Sequence, residues 1–164
     1  MPEEPRKDFI QAGREAGFDD AWHEDWWEEM NANGGNIIAA MRMRIVELSG
    51  DRVVMSMAMS PGVRQGTGVF AAGALIQLAD VGATSACFEY MRREWKEEEV
   101  GFPVSIQISS NLLRNTVEGV VTSETRLVHA GRKLMVAESV VKDEAGRTLA
   151  LVNSTHMVPR PNPR

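Results

Sequence analysis

One carboxylate lies in the middle of the longest apolar stretch of the sequence. Asp80 is the only charged residue between Ala71 and Phe88, a segment in which small and aliphatic residues predominate. A carboxylate is costly to bury unless it is hydrogen-bonded or has a function that requires it. Two interpretations follow: either Asp80 bonds a neighbouring loop and is structural, or it takes part in catalysis.

Small residues precede the same stretch, where the sequence runs from Gly66 through Gly68 to Gly73. Such residues at the start of a helix leave backbone N–H groups open to an incoming carbonyl, and these donors can form an oxyanion hole. Residues 72 and 80 are eight positions apart, which is roughly 12 Å along a helix. If both act on one reacting group, they must come from different subunits. The catalytic interpretation therefore requires a dimer with antiparallel helices.

The elements that must position these groups follow from the periodicity of the apolar residues. The stretch Ala71–Met91 predicts a buried central helix, whose many small residues would let a sheet pack close to it. Apolar residues alternate in Met41–Ile45 and Val53–Met59, on either side of a turn at Ser49–Arg52, and this pattern predicts a β-hairpin. Its methionines are predicted to be core, with a malleable ligand surface as the alternative.

Further alternating runs follow the central helix. Residues 92–99 are highly charged and predict a solvated helix end or loop. After them, four strands are predicted, with a hairpin turn at Asp143–Arg147, in the segments Val104–Ile108, Val117–Val128, Leu134–Val141 and Thr148–Val158. Long consecutive strands joined by short turns indicate an antiparallel sheet. The predicted fold class is therefore α+β, with one curved antiparallel sheet around one apolar helix.

Composition narrows the classes of function. The net charge of −5 disfavours nucleic acid as a partner, because neutralising phosphates needs a basic face. The single cysteine, Cys87, allows no internal disulfide and is predicted to be a buried structural thiol. Gln77 and Asp80 within the apolar stretch argue against a membrane span, and the first residues lack the pattern of a signal peptide. A cytoplasmic protein with no membrane partner is predicted.

The histidines give no sign of a metal site. His23, His129 and His156 are scattered without zinc-ligand spacing, and His156, in the last predicted strand, is expected to be structural. No Gly-x-Ser-x-Gly elbow, P-loop or dinucleotide-binding fingerprint is present. The sequence predicts neither a metal nor a cofactor.

The segment around Asp80 resembles a known family motif. It reads Gly68-Val-Phe-Ala-Ala-Gly-Ala-Leu-Ile-Gln-Leu-Ala-Asp80, and it is similar to the helix motif of hotdog-fold thioesterases of the phenylacetate-degradation type, within the 4-hydroxybenzoyl-CoA thioesterase superfamily. That motif is His-Gly-Gly, then seven residues, then Asp, usually within Leu-Ala-Asp. The resemblance continues through Pro103–Leu113, His129–Glu138 and Asp143–Ala150. It covers about residues 38 to 158 and implies a hotdog fold.

The resemblance implies an acyl-CoA thioesterase, which hydrolyses a thioester to the free acid and coenzyme A. Asp80 would be the general base or nucleophile toward the thioester carbon, and the N–H of Ala72 would be the oxyanion donor. Gln65 would position water or the carbonyl, as an Asn often does in the family. Ser105 would hold the attacking water. The resemblance also implies a homodimer or a dimer of dimers.

The resemblance implies a substrate-binding surface as well. Arg132 and Lys133 lie where the family often contacts the phosphates of coenzyme A. The other positions assigned to binding substrate or coenzyme A are Phe70, Ala71, Gly73, His129 and Gly131.

Four positions depart from the family motif. Phe70 stands where the family has His, Ala71-Ala72 replace Gly-Gly, and Gln65 replaces Asn. These departures favour, as an alternative, a hotdog protein that binds an acyl-thioester without hydrolysing it. They argue against a hotdog hydratase, which would need a histidine at the position of Phe70.

The chain is predicted to have three parts: a helical extension at residues 1–35, the hotdog domain at 36–159, and a tail at 160–164. Within the extension, residues 8–30 place Phe18, Trp22 and Trp26 four apart, a pattern typical of an amphipathic helix. This helix either packs over the open surface of the domain or forms a lid that partly walls an acyl pocket.

Overall fold

The computed structural model describes residues 36–49, 52–95 and 101–158. The amphipathic helix predicted at 8–30 lies outside the described residues, as do the rest of the extension and the tail. The proposed division at residues 35 and 159 therefore stays a prediction.

The described chain forms two α-helices, one short 3-10 helix and six strands. In chain order they are α1 (Ile37–Ala40), β1 (Met43–Ser49), β2 (Arg52–Ala58), the 3-10 helix (Pro61–Val63), α2 (Ala72–Glu94), β3 (Val104–Leu112), β4 (Val120–Ala130), β5 (Leu134–Lys142) and β6 (Thr148–Met157).

The six strands form one antiparallel sheet in the order β1-β2-β4-β5-β6-β3. Hairpins join β1 to β2, β4 to β5 and β5 to β6, as the alternating runs predict. The strand that follows α2 does not continue from β2 but pairs with β6 at the far edge. Helix α2 contacts β2, β3, β4, β5 and β6, so the sheet wraps around it. The predicted α+β architecture is confirmed.

The core lies between α2 and the concave face of the sheet. Leu75 and Leu78 of the helix are fully buried, and so is Val121 of β4. Met55 and Met57 of β2 are each 1% exposed, which confirms the prediction that the methionine-rich face is core. Each such apolar side chain stabilises the fold by roughly 1.5–3 kcal/mol when fully buried.

Several boundaries differ from the predicted ones, and two of these differences have a local physical cause. Helix α2 continues three residues past Met91, to Glu94, and its last turn carries Arg92 and Arg93, which interact favourably with the helix dipole. Strand β4 begins at Val120 rather than Val117. Gly119 has a φ of 83°, outside the extended region, so the chain turns there before the strand begins.

Helix α2 lies unusually close to the sheet at Gly82. A Cβ added at Gly82 would lie 2.8 Å from Thr125 Oγ1 on β4. That hydroxyl is fully buried and hydrogen-bonds Ser139 Oγ on β5 at 2.7 Å, so it cannot move aside without losing its partner. Ser139 Oγ also donates to the carbonyl of Ala79 at 3.4 Å. The glycine thus sets the distance between helix and sheet.

We predict that Gly82→Ala lowers the free energy of unfolding by about 1–3 kcal/mol, because the added methyl overpacks a tight contact. Chemical denaturation of the purified variant measures this. Gly73→Ala is the matched control, since a Cβ there meets nothing within 4 Å and should be neutral or mildly stabilising. Equal stability of the two variants would contradict the assignment.

Candidate active site

Asp80 is held by a serine from the neighbouring edge strand. The carboxylate is partly buried in the middle of α2, and Ser105 of β3 donates its hydroxyl proton to Asp80 Oδ1 at 2.6 Å. This length is typical of a hydroxyl bound to an ionised acceptor. Within the described residues, Asp80 makes no ion pair and no other side-chain hydrogen bond. Its charge is therefore supported by a neutral donor, and its second oxygen, Oδ2, has no hydrogen-bond partner in that part of the chain.

A buried histidine continues this contact into the sheet. His156 of β6 is the direct cross-strand partner of Ser105, and its Nδ1 lies 3.3 Å from Ser105 Oγ. Its Nε2 lies 2.9 Å from Ser154 Oγ. Burial lowers the pKa of His156 below its ordinary value, although the negative charge of Asp80 acts in the opposite direction. We call Asp80, Ser105, His156 and Ser154 the carboxylate half-site.

The start of α2 presents open backbone donors. Ala71 caps the helix without any side-chain hydrogen bond, and the N–H of Ala74 bonds back to the carbonyl of Ala71. The N–H groups of Ala72 and Gly73 have no acceptor among the described residues. Gly73 is exposed and Ala72 partly so. These two donors can bind a developing negative charge.

The loop before α2 is held in place from several sides. Asn115, just after β3, donates from Nδ2 to the carbonyl of Phe70 at 2.8 Å. The Phe70 N–H donates to the Thr116 carbonyl, and the Ala71 N–H to the Val63 carbonyl. The Phe70 side chain is fully buried in the core, so this residue supports the loop and presents no side chain to a ligand.

Gln65 lies in the turn that leads into this loop. Its side chain is exposed, and Nε2 donates to Thr67 Oγ1 at 2.9 Å. We call Gln65, Ala71, Ala72 and Gly73 the amide half-site. Ala72 and Asp80 are separated by eight residues of continuous helix, roughly 12 Å along its axis. One chain therefore holds the two half-sites apart.

The β4–β5 turn contributes no residue to either half-site, although Met135, just after the turn, is the cross-strand partner of His156. The turn residues His129, Arg132 and Lys133 are exposed, and the Arg132 guanidinium lies 5.5 Å from the centre of the Trp95 ring, within cation–π range. Trp95 directly follows α2, roughly 22 Å along the helix axis from Asp80. A Cβ on Gly131 would lie 2.7 Å from His129 Nε2 and 2.9 Å from the Leu134 carbonyl, so packing within the turn explains this glycine.

Other chemistries find little support in the described residues. Cys87 is fully buried, and desolvation raises the pKa of its thiol to about 12, so it is not an activated nucleophile. In the ranges that the structure covers, no three His, Cys, Asp or Glu side chains could together hold a metal ion. No described helix is long and apolar enough to cross a membrane.

The structure thus brings together Asp80 and Ser105, two predicted site residues that are 25 positions apart in the sequence, and it adds His156, Ser154 and Asn115. His156 was expected to be merely structural. The spacing of two residues between Ser154 and His156 predicts that their side chains lie on one face of a strand. The contact of His156 with Ser105 does not follow from spacing, because it depends on the register between β3 and β6. Asn115 lies in a loop outside any motif, so the sequence carried no signal for it.

Comparisons with known proteins find thioesterases among the relatives of this chain. The family model described as the thioesterase superfamily matches residues 67–150. A Deinococcus radiodurans protein assigned as an esterase is 33% identical over 121 residues, which cover 74% of this chain and 72% of that protein. The 1,4-dihydroxy-2-naphthoyl-CoA hydrolase of Escherichia coli is 27% identical over 122 residues, covering 73% and 85%.

A solved structure shares the fold. The crystal structure of a thioesterase from Haemophilus influenzae superposes with a TM-score of 0.72 at 19% identity, covering 83% of this chain and 91% of that one.

Proposed function

The chain belongs to the thioesterase superfamily, and from that premise we propose that it hydrolyses acyl-coenzyme A to the free acid and coenzyme A, with Asp80 as the reacting carboxylate. One observation carries the proposal: a carboxylate in an apolar helix whose described partner is a neutral hydroxyl. A carboxylate in an ion pair would be a weaker base or nucleophile. The Escherichia coli relative named as a CoA hydrolase supports acyl-CoA as the substrate class.

The reaction can follow two routes from this geometry. In one, Asp80 takes a proton from a water molecule that attacks the thioester carbon. In the other, an Asp80 oxygen attacks that carbon itself, and water later hydrolyses the resulting anhydride. In both routes a tetrahedral oxyanion forms, and its collapse breaks the C–S bond and releases the coenzyme A thiolate. Water is the only co-reactant, so we propose that no metal or cofactor is needed.

The amide half-site would bind the oxyanion. The open N–H groups of Ala72 and Gly73 are fixed by the loop anchors at Phe70 and Ala71, so they need no reorganisation as charge develops. Gln65 lies in the loop that leads into the helix start, and we propose that it orients the carbonyl or water. Because each chain keeps its two half-sites apart, we propose that a complete site combines the amide half-site of one subunit with the carboxylate half-site of another.

An edge strand supports the dimer. Strand β3 has a strand neighbour only on the β6 side in the described sheet, and it exposes Val104, Ile106 and Ile108 by 40% or more. Unpaired edges that carry apolar side chains favour pairing with another chain. Pairing of β3 with β3 of a second copy would be isologous, and it would bring the two α2 helices side by side and antiparallel. A dimer of dimers would repeat this unit.

We place coenzyme A across the β4–β5 turn. Arg132 and Lys133 give an acidic protein a local basic site for phosphates, while His129 and Gly131 shape the turn. The arm of coenzyme A would then run along α2 toward Asp80. A reducing compartment suits the single buried thiol of Cys87, and we propose the cytoplasm.

We predict that Asp80→Asn reduces turnover on the best acyl-CoA by at least roughly 100-fold, because the amide is neither a base nor a nucleophile. Release of free thiol measures turnover, and thermal melting checks that the variant is folded. Glu138→Gln, at an exposed carboxylate on β5, is the matched control and should retain full turnover. A folded Asp80→Asn enzyme with near-wild-type turnover would contradict the role.

We predict a dimer or tetramer in solution, and we expect Ile106→Lys combined with Ile108→Lys to produce monomers without activity. Charges at an exposed edge block pairing with a second strand. Light scattering reports the mass and thiol release the activity. A stable monomer that still turns over would refute the shared site.

We predict that replacing both Arg132 and Lys133 by Ala raises the KM for acyl-CoA and flattens its dependence on ionic strength, because phosphate charges lose their partners. Turnover on a short N-acetylcysteamine thioester, which lacks the phosphates, should be nearly unchanged. If both substrates lose activity equally, the turn serves folding or chemistry, and the binding assignment fails.

A further inference from the structure

Four side chains from three elements form one continuous hydrogen-bonded line. It runs from Ser154 and His156 on β6, through Ser105 on β3, to Asp80 on α2. His156 is fully buried and Ser154 is 2% exposed. The proposed acyl-CoA reaction assigns roles to Asp80 and Ser105 but none to His156 and Ser154.

The direction of the line follows from counting protons. The Asp80 carboxylate has only acceptors, and Ser105 has one hydroxyl proton, which it donates to Oδ1. Ser105 Oγ can then only accept from the histidine, so His156 Nδ1 must carry a proton. If the imidazole is neutral, its Nε2 is an acceptor, and the Ser154 hydroxyl donates to it.

The surroundings of His156 favour the neutral ring. Both ring nitrogens face hydroxyl groups, and the carboxylate of Asp80 is one hydroxyl away. Desolvation penalises a charged imidazole at this depth, and it lowers the pKa of His156 although Asp80 opposes the change.

We propose that His156 is a positioning residue. As the tautomer protonated on Nδ1, it donates to Ser105 Oγ and so directs the Ser105 proton to Asp80 Oδ1. The other carboxylate oxygen, Oδ2, is then left to face the thioester. In the other neutral tautomer the proton is on Nε2 and Nδ1 is an acceptor, so Ser105 could donate its proton to the histidine instead of to Asp80. Asp80 would then lose the donor that fixes it and rotate. A carboxylate held in one orientation reacts faster than one that must first be oriented. This proposal rests on the assigned acyl-CoA hydrolysis.

The tautomer can be tested without any substrate. Nitrogen-15 NMR of the protein labelled at histidine should show, for His156, a protonated Nδ1 and an unprotonated Nε2 at neutral pH. Assignment comes from the signal lost in a His156 variant. A ring protonated on Nε2, or on both nitrogens, overturns the proposal whether or not the enzyme turns over acyl-CoA. A failure of acyl-CoA hydrolysis with the expected tautomer would instead remove the proposed function.

Two amide substitutions separate positioning from packing. In His156→Asn, the Nδ2 group can replace Nδ1 as the donor to Ser105, whereas His156→Gln places its amide near Ser154. We expect His156→Gln to lose roughly tenfold in kcat with KM little changed, the order expected when a hydrogen bond to a charged group loses its support. His156→Asn should retain most of kcat even though it leaves the larger cavity and melts lower.

Thr155→Val is the control, since Thr155 lies on the same strand but on the opposite face of the sheet. It should leave kcat unchanged. If kcat falls equally in both amide variants, or tracks their melting temperatures, His156 is only a packing residue and the proposal is overturned.

Discussion

The hydrogen bond between Ser105 and Asp80 joins the central helix to the strand at the edge of the sheet. Without it, a carboxylate in the middle of an apolar helix would lack a described partner, and such a group is costly to bury. The bond is made by a neutral hydroxyl, so it stabilises the charge without cancelling it. The structure can thus keep a carboxylate inside a fold whose neighbouring helix residues are nearly all apolar.

That bond requires the helix to lie at a fixed depth in the sheet. Gly82, half a turn beyond Asp80, approaches Thr125 so closely that no side chain fits between them. The hydroxyls of Thr125 and Ser139 hydrogen-bond each other, and Ser139 also donates to the Ala79 carbonyl. Both buried hydroxyls therefore keep hydrogen-bond partners at this close contact. The continuous helix that results also separates Asp80 from the open N–H groups at its start. The proposal that two subunits share one site follows from this separation.

Much of the fold could be predicted from the sequence because its signals are local. Alternating runs mark β2, β4, β5 and β6, and the apolar stretch marks α2. The predicted β4 begins three residues too early, at Val117. The left-handed backbone of Gly119 interrupts the extended conformation there, and the alternation of apolar residues does not reveal that φ angle. Within the site, Asp80 stands out by its isolation in the apolar stretch, and the family resemblance supplies its proposed role and adds Ser105. His156 could not be linked to them, since its meeting with Ser105 depends on a register that shifts between Ser105 and Gln107.

The loop before α2 explains in physical terms how the chain can differ from the family motif at Phe70, Ala71 and Ala72. Where the related motif has a histidine, Phe70 turns its ring into the core, and the loop is held instead by the Asn115 amide on the Phe70 carbonyl. Ala71 and Ala72 add methyl groups, but the helix start keeps its open N–H donors, which depend on the backbone alone. In this chain the core and a neighbouring loop therefore anchor the helix start. Because oxyanion stabilisation needs positioned N–H groups rather than a particular side chain, the replacement is compatible with hydrolysis.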